Sequence, residues 1–518
     1  MLKNYPSNSM MKMNFLFCLR SFGILLSLLL ISCPGFATAA ENETTDEPRV
    51  INSFSDAFTR GKVKGLVRYS GQYRDSDLYL TPDRATPDPD VPTEKKQQYS
   101  AIGGYLGYET APWFNTSIGA TLYTGLPFGN NPGDRRGLGG LYEEDGGQDA
   151  YIALGEAFIK YQTDEHRVVA GRQEMPNYRF VSLSNIRMSP FTHEGATYEN
   201  TSLDGFQFNL AYISRQKDRN AFDFEDMVRA ARVKTGCGAV DVNGDCIASG
   251  GRRLIRGDFN PDDFDSSGNY SGADKAMPMV AVTYAKDGLS LEGWDYYADG
   301  FVNTFYFYGQ YNFKPTDSDL ALQIAGQYAN QQDVDGHVAG NVDTWFYGLK
   351  FLAYYEGLTF ATAYNEVSYN ENSYDGGTIF VRWGTPQMFN SYEVQDSELA
   401  GTKSVGVGLQ YDFGLKGILP GVLMRVRYAD YNLPDSISQA DARQDRTEAT
   451  FDIRYSFEKT TGFGLFNEID GLSILFRAAY NNYRTDYDFA AYKAAHGYEY
   501  ESATDDFFDY RLYLDYKF

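Results

Sequence analysis

The chain has 518 residues, of which 16% are aromatic, and its mean hydropathy is −0.44. A formal net charge of −23 argues against a nucleic-acid-binding protein, and 42 Tyr and 36 Phe residues argue against a simply disordered acidic chain. A polar average with many Tyr, Phe and Gly residues is typical of a transmembrane β-barrel, in which alternation along each strand hides the hydrophobicity. A secreted β-sandwich enzyme has a similar composition, so the strand pattern must decide between the two.

The N-terminus has the features of a secretory signal peptide. Basic residues precede an apolar run at residues 22–31, and Ala-Thr-Ala at residues 37–39 offers a small-residue cleavage site. The Leu-Ile-Ser-Cys sequence at residues 30–33 is an alternative cleavage site of the lipoprotein type. No later segment of the sequence is long and apolar enough for a transmembrane helix, so a membrane-embedded form of this chain has to be a closed barrel.

The sequence predicts three segments. Residues 1–39 are the signal peptide, residues 40–60 are a periplasmic N-terminal segment, and residues 61–518 are an all-β, transmembrane antiparallel β-barrel of about 18 strands. Strands and hairpins are predicted at residues 62–73, 99–109, 116–124, 151–161, 167–173, 191–199, 206–213, 277–296, 303–329, 342–367, 402–412, 422–431, 446–457, 472–484 and 504–518.

Short and long connections alternate along the predicted barrel. Asp287-Gly288 is one of several tight turn sequences, whereas residues 125–149, 174–190 and 214–276 form long loops. Short turns at one end and long loops at the other are typical of bacterial outer-membrane barrels.

The last strand shows the alternation most clearly. Leu512, Leu514, Tyr516 and Phe518 form an apolar face, and the residues between them are polar or amphipathic. In a transmembrane barrel the apolar face meets lipid and the polar face lines an aqueous interior. A C-terminal Phe after alternating apolar residues resembles the signal that outer-membrane barrels present to their assembly machinery, so Phe518 is the predicted contact with that machinery.

Cations lie on the predicted interior faces of several well-separated strands. They are Lys62, Lys64, Arg68, Arg172, Arg425, Arg427, Arg454, Arg477, Arg511 and Lys517, with Glu156, Asp452 and Asp515 on the same faces. Arg suits an anion path because its guanidinium fork binds carboxylates bidentately and stays protonated. The alternative interpretation is that each interior Arg pairs with a nearby acid and only holds the wall together.

The sequence offers little to a metal or an enzyme site. Cys237 and Cys246 are predicted to form a disulfide, because an exported pair nine residues apart closes a small loop. Two acidic stretches, at residues 241–245 and 258–262, resemble the start of a calcium loop but lack the carboxylate at the twelfth position. Solvated acidic loops explain them, and we predict no metal and no cofactor. With four His and no G-x-S-x-G elbow, enzymatic activity is not expected, although a loop-borne Asp/His site stays an alternative.

Three segments resemble a known family. Residues 154–161 (LGEAFIKY) with residues 171–174 (GRQE) resemble the hallmark hairpin of the OprD-type substrate-specific porins. Residues 103–112 (GGYLGYETAP) resemble their second strand and first periplasmic turn. The resemblance implies an eighteen-stranded monomeric channel, with an inward-folded constriction loop and a basic ladder that guides small carboxylate-bearing solutes. By this analogy residues 174–190 are the constriction loop.

The same resemblance implies that Arg172 and Arg187 face the narrowest part of the channel. The predicted channel-lining residues are Arg68, Glu156, Arg172, Arg187, Arg425, Arg427, Arg454 and Arg477. We therefore predict a porin in the outer membrane of a Gram-negative bacterium that passes small hydrophilic solutes, favouring anionic ones. Alternatives are a general non-selective porin, or a plugged barrel that acts as an adhesin or a surface enzyme, and the oligomeric state is open between monomer and trimer.

Overall fold

The computed structural model describes most of the chain from residue 53 onwards. The described residues are 53–78, 93–129, 131, 141, 148–181, 184, 186–231, 239–240, 246–247, 255, 257, 259–265, 269–316, 318–384, 388–395, 397–434, 445–457, 470–483 and 504–518. The predicted signal peptide lies outside them. None of the helices in these ranges has the length and apolar character needed to cross a membrane.

The described residues form a closed antiparallel barrel of eighteen strands, with one short extra strand at its rim. The strands are β1 (Lys62–Leu78), β2 (Thr93–Glu109), β3 (Thr116–Pro127), β4 (Tyr151–Gln162), β5 (His166–Gln173), β6 (Thr192–Asn200), β7 (Phe206–Lys217), β8 (Glu225–Asp226), β9 (Ala239–Val240), β10 (Cys246–Ile247), β11 (Met277–Lys286), β12 (Leu289–Ala298), β13 (Val302–Phe313), β14 (Leu320–Asp333), β15 (Asp343–Tyr355), β16 (Leu358–Val367), β17 (Lys403–Asp412), β18 (Val422–Asn432), β19 (Arg446–Ser456), β20 (Leu472–Tyr483) and β21 (Thr504–Lys517). The helices are α1 (Phe54–Thr59) and α2 (Met227–Ala230), with 3₁₀ turns at Pro261–Asp263 and Tyr374–Gly376.

Each barrel strand pairs with its neighbours in chain order. The hairpin β9–β10 stands apart, and β8 pairs only with β7, so β7 continues the barrel by pairing with β11. The barrel closes where β1 pairs with β21, with Leu66 opposite Lys517. Closure satisfies the backbone N–H and C=O groups of both terminal strands, which the hydrocarbon of a bilayer requires.

Alternating burial along the strands identifies the two surfaces of the wall. On β3, Ile118 and Leu122 are 45% and 47% exposed, whereas Thr121 and Tyr123, on the alternate positions, are almost fully buried. The exposed set of large apolar side chains recurs around the barrel. This belt faces lipid, and the opposite parity of each strand faces the lumen.

Tight turns join the strands at the end of the barrel that holds Phe518. Asp287 and Gly288 both have positive φ, at 51° and 83°, as do Glu356 and Gly357, at 48° and 88°. Positive φ at both central residues is the type I′ geometry, whose twist matches that of paired strands. The tight turn predicted at Asp287-Gly288 is confirmed, and Glu356-Gly357 forms a second turn of the same type.

The helix α1 lies against the turn between β2 and β3. Ser53 caps it by accepting from the amide of Asp56 at 3.1 Å, and the amide of Ala111 donates to the Ala57 carbonyl at 2.9 Å. The ring of Phe54 contacts that of Trp113 at 5.6 Å. The predicted N-terminal segment thus ends in a helix held at the barrel's short-turn end.

The predicted barrel and its strand number are confirmed, but the first hairpin is longer than predicted. β1 continues to Leu78 and β2 begins at Thr93, where the sequence suggested a loop from residue 74 to 98. All prolines of that predicted loop lie within residues 82–92. Proline interrupts a strand because it lacks an N–H for the ladder, so it does not prevent pairing of the residues on either side of this range. The polar residues 74–78 therefore continue β1, and the Arg74 side chain in this extension forms an ion pair with Asp509 of β21.

Candidate functional site

The described residues of the loop between β5 and β6, which spans residues 174–191, fold into the barrel. The ring of Phe180 lies 5.3 Å from that of Tyr306 on β13 and 5.8 Å from that of Tyr296 on β12, and both Tyr side chains face inward. The inward-folded loop predicted from the family resemblance therefore has a physical anchor, an aromatic cluster on the wall.

The same loop reaches the opposite side of the barrel a few residues later. The hydroxyl of Tyr513 on β21 donates to the Ile186 carbonyl at 3.2 Å, and Arg68 on β1 donates to the Arg187 carbonyl at 2.7 Å. Strands β12 and β13 lie about half-way round the barrel from β1 and β21. The β5–β6 loop thus crosses the lumen.

Described residues of a second loop, which joins β16 to β17 over residues 368–402, also enter the lumen. Gln331 on β14 clamps Phe380, accepting from its amide at 2.8 Å and donating to its carbonyl at 2.9 Å. Gln216 on β7 donates to the Arg382 carbonyl at 3.2 Å, and His193 on β6 hydrogen-bonds the Trp383 carbonyl at 3.2 Å. Sequence reasoning assigned this loop no place inside the barrel.

Apolar side chains from these loops fill one part of the interior. Trp383 of the β16–β17 loop packs against Phe301 of the β12–β13 connection, with their rings 6.0 Å apart and both residues fully buried. The Trp383 indole N–H donates to the Met227 carbonyl at 2.8 Å. Phe180 and Val181 of the β5–β6 loop belong to the same core. Arginines and acids face the lumen on the adjoining strands β18–β21 and on β1, and these strands form the charged wall described next.

Three of the predicted arginines come together on that wall. Arg425 of β18 and Arg477 of β20 share the carboxylate of Asp452 on β19, with Nε of Arg425 2.9 Å and Nε of Arg477 3.4 Å from its oxygens. Arg427 lies on the same face of β18, one inward position further along. Outward neighbours such as Val426 are exposed to lipid.

An acid from the β16–β17 loop lies among these arginines. Glu393 Oε1 accepts from Arg427 at 2.7 Å and lies 3.8 Å from Arg425, while Oε2 accepts from Arg477 at 2.8 Å and lies 3.4 Å from Arg511. The Glu393 side chain is only 6% exposed. The Glu393 carboxylate therefore lies within ion-pair distance of arginines from three strands, β18, β20 and β21.

A second charged group lies at the seam between β1 and β21. Arg68 binds Asp515 bidentately, through Nε at 2.7 Å and Nη2 at 2.6 Å. Arg187 of the β5–β6 loop lies beside it and donates from Nη1 to the side-chain oxygen of Gln72 at 2.7 Å. The geometry brings Arg68 and Arg187 together on one side of the lumen.

Glu156 belongs to a third group near the other end of the same wall. Its carboxylate lies 2.7 Å from Lys64 Nζ, and the buried Tyr123 hydroxyl donates to Glu174 at 2.8 Å and lies 3.3 Å from Glu156. Burial and the nearby Glu156 carboxylate raise the pKa of Glu174 above its usual value.

Comparisons with known proteins give the fold a name. No family model matches the sequence, and no curated protein matches it either. Among solved structures, Pseudomonas aeruginosa OccK9 (OpdG) is similar with a TM-score of 0.63 and 16% identity, over 88% of this chain and 98% of that one. P. aeruginosa OpdK with vanillate gives 0.61 and 15%, over 88% and 98%, and Acinetobacter baumannii OccAB4 gives 0.62 and 14%, over 88% and 98%. The fold is that of the OprD/Occ porins.

Two other predicted residues take different places in this OprD-like barrel. Arg172 on β5 lies beside Glu194 on β6, with Nε 2.9 Å from the carboxylate and its guanidinium 4.3 Å above the Phe224 ring. Arg454 is exposed near the short-turn end of β19, on the inward parity. Arg172 pairs with Ala157 and shares the outward parity of the exposed Val168, so it does not face the lumen as predicted, whereas Arg187 lies inside the barrel.

Sequence reasoning missed the acids that complete the OprD-like lumen. Asp509 on β21 accepts from Arg511 at 2.7 Å and from Arg74 at 2.8 Å, and its spacing of two from Arg511 could have placed both on one face. Glu393 carries no such local signal, because its position depends on where a long loop folds.

The remaining predicted sites stay predictions. Cys237 lies outside the described residues, so the disulfide with Cys246, the first residue of β10, is not tested. The described part of the chain holds no cluster of three or more His, Cys, Asp or Glu suited to a metal. His337 lies 2.7 Å from Asp333 at the barrel's long-loop end.

Proposed function

We propose that the protein is a passive outer-membrane channel of a Gram-negative bacterium for small hydrophilic solutes, with a preference for anionic ones. The observation that carries the proposal is the group of inward-facing guanidinium groups of Arg425, Arg427 and Arg477 on adjacent parts of one wall. Each has the fork that binds a carboxylate bidentately. The OprD-like fold and the belt of exposed apolar side chains support the membrane location.

The choice of carboxylates as probes has a further support. One of the similar solved structures holds vanillate, which is an aromatic carboxylate. The bound vanillate is a property of OpdK, to which this chain is 15% identical. It makes benzoate and related aromatic carboxylates suitable first solutes for testing this channel.

A less selective general porin is the second candidate. It is favoured by the pairing of the lumen's cations with acids, as in the Arg425–Asp452 and Lys64–Glu156 pairs. A wall whose charges are nearly balanced discriminates weakly between anions and cations.

The first experiment is reconstitution in a planar bilayer, with single-channel currents recorded under a KCl gradient. We expect discrete steps and a reversal potential displaced towards the Nernst potential of chloride. Discrete steps with a reversal potential near zero would favour the general porin. Absence of steps in the intact, folded protein would contradict the channel proposal.

The first prediction concerns the two arginines predicted to face the narrowest part. Arg172→Ala combined with Arg187→Ala should move the reversal potential towards that of potassium, because the lumenal cation Arg187 is lost together with a cation at the long-loop end of β5. Lys286→Ala, on the exposed short-turn end beside Asp204, is the control and should leave the potential unchanged. Equal potentials for the double variant and the wild type would remove both arginines from the conduction path.

A further inference from the structure

The carboxylate of Glu393 takes the position that a solute carboxylate would take on the arginine wall. Both of its oxygens accept from guanidinium N–H groups, Oε1 from Arg427 at 2.7 Å and Oε2 from Arg477 at 2.8 Å. Arg511 Nη1 lies 3.4 Å from Oε2. Short, charge-assisted contacts of this kind are how proteins bind free carboxylates.

The backbone around Glu393 is fixed by contacts that do not involve its carboxylate. The buried carboxylate of Glu448 on β19 accepts from the amides of Glu393, Val394 and Gln395 at 3.0, 3.1 and 2.8 Å. The Gln395 side chain in turn donates to Asn481 at 2.9 Å and accepts from Arg446 at 2.9 Å. Removing the charge of Glu393 therefore leaves the loop in place.

Arg427 depends on Glu393 more than its neighbours do. Arg425 and Arg477 also face Asp452, and Arg511 also faces Asp509. Within the described residues the acid that pairs with Arg427 is Glu393, while Thr450 at 3.2 Å and the Tyr392 ring, 4.4 Å below the guanidinium, hold its orientation. Without the Glu393 charge, Arg427 remains oriented towards the lumen as an anion ligand.

We infer that Arg427, Arg477 and Arg511 form a carboxylate-binding site that the chain's own Glu393 occupies. The β16–β17 loop is thus a built-in competitor, and an anionic solute binds there only by displacing the Glu393 side chain. Occupation lowers the affinity for carboxylates and keeps passing solutes weakly bound, which a channel needs for release. The effect on transport rests on the proposed channel function, whereas the binding site does not.

The test is Glu393→Gln, which keeps the shape of the side chain and removes its charge. Benzoate binding to the detergent-solubilised protein is measured by isothermal titration calorimetry. We expect the dissociation constant to fall at least tenfold relative to the wild type. Glu366→Gln is the matched control, since it removes the same charge from the lipid-facing side of β16, where Glu366 accepts from Tyr347.

A second variant shows whether the gain comes from this site. Arg427→Gln placed on the Glu393→Gln background should return the benzoate dissociation constant to the wild-type range. Persistence of the gain in the double variant, or equal affinities of wild type and Glu393→Gln, would overturn the inference. A raised affinity without single-channel currents in either protein would retain the binding site and refute the channel proposal instead.

Discussion

Arg68 and Asp515 join the first strand of the barrel to the last. The two side chains are only 7% and 14% exposed, and they are directly opposite each other in the register of β1 and β21. A bidentate pair with little water is held by geometry as well as charge, and loss of one partner leaves the other charge desolvated. The seam of the barrel therefore has a specific lock in addition to its backbone ladder.

Asp515→Asn tests that lock. We expect about 2 kcal/mol of lost stability, because one charged hydrogen bond is lost and a buried guanidinium keeps only a neutral acceptor. The measurement is the urea midpoint of unfolding in detergent micelles, followed by tryptophan fluorescence.

The control for this prediction is Asp204→Asn, whose side chain is 84% exposed beside Lys286. An exposed pair contributes roughly 0–1 kcal/mol, so its midpoint should hardly move. Equal midpoints for Asp515→Asn and the wild type would show that the backbone ladder alone closes the barrel.

At the scale of the strand, most of the fold was predictable from the sequence. Alternation with period two, as in Leu512, Leu514 and Tyr516, places a side chain on one face without any knowledge of its partner. The same rule placed Arg425 and Arg477 on the lumenal face correctly. The alternation does not reveal which residues of neighbouring strands lie side by side. The position of Asp452 between Arg425 and Arg477 could therefore not be predicted from the sequence.

Strands β1 and β2 approach so closely at Gly104 that a side chain there is strongly disfavoured. Gly104 on β2 has φ of 132°, and a Cβ there would lie 1.9 Å from the Leu66 carbonyl oxygen of β1. We expect Gly104→Ala to cost roughly 2–4 kcal/mol, since both the φ and the backbone contact must change. The urea midpoint measures it.

Gly293 on β12 provides the matched control, because a Cβ there meets no atom within 4 Å. Gly293→Ala should stay within about 0.5 kcal/mol of the wild type or be slightly stabilising, since alanine restricts the unfolded chain. A Gly104→Ala barrel as stable as Gly293→Ala would mean that β1 and β2 shift apart at low cost.

At the scale of the whole molecule, two loops share the interior and only one of them was predicted. The β5–β6 loop was expected inside from the family resemblance, and it lies there. The β16–β17 loop reads as an ordinary long polar loop, and its Glu393 reaches the arginines because Glu448 binds the adjacent amides. Such contacts join residues more than fifty positions apart, so sequence spacing could not reveal them.

Glu448→Ala should release the β16–β17 loop from the wall. The three amides of Glu393, Val394 and Gln395 lose their acceptor, and each buried N–H left without one costs about 1–3 kcal/mol. We expect noisier single-channel currents with additional conductance levels.

Glu356→Ala is the control for this variant, since Glu356 pairs with Lys416 at the exposed turn between β15 and β16. Its currents should match those of the wild type. Quiet, unchanged currents in Glu448→Ala would show that the hydrogen bonds of the Phe380 amide and the Trp383 indole hold the loop without help from Glu448.

The path of the β5–β6 loop also has a mechanical consequence. It is fastened to Tyr306 on one side and, through Ile186 and Arg187, to β21 and β1 on the other. A hollow cylinder flattens easily under lateral pressure, whereas one with a strut across its diameter does not. The strut therefore sets the cross-section of this barrel together with strand number and tilt, and bilayer tension acts on a braced tube.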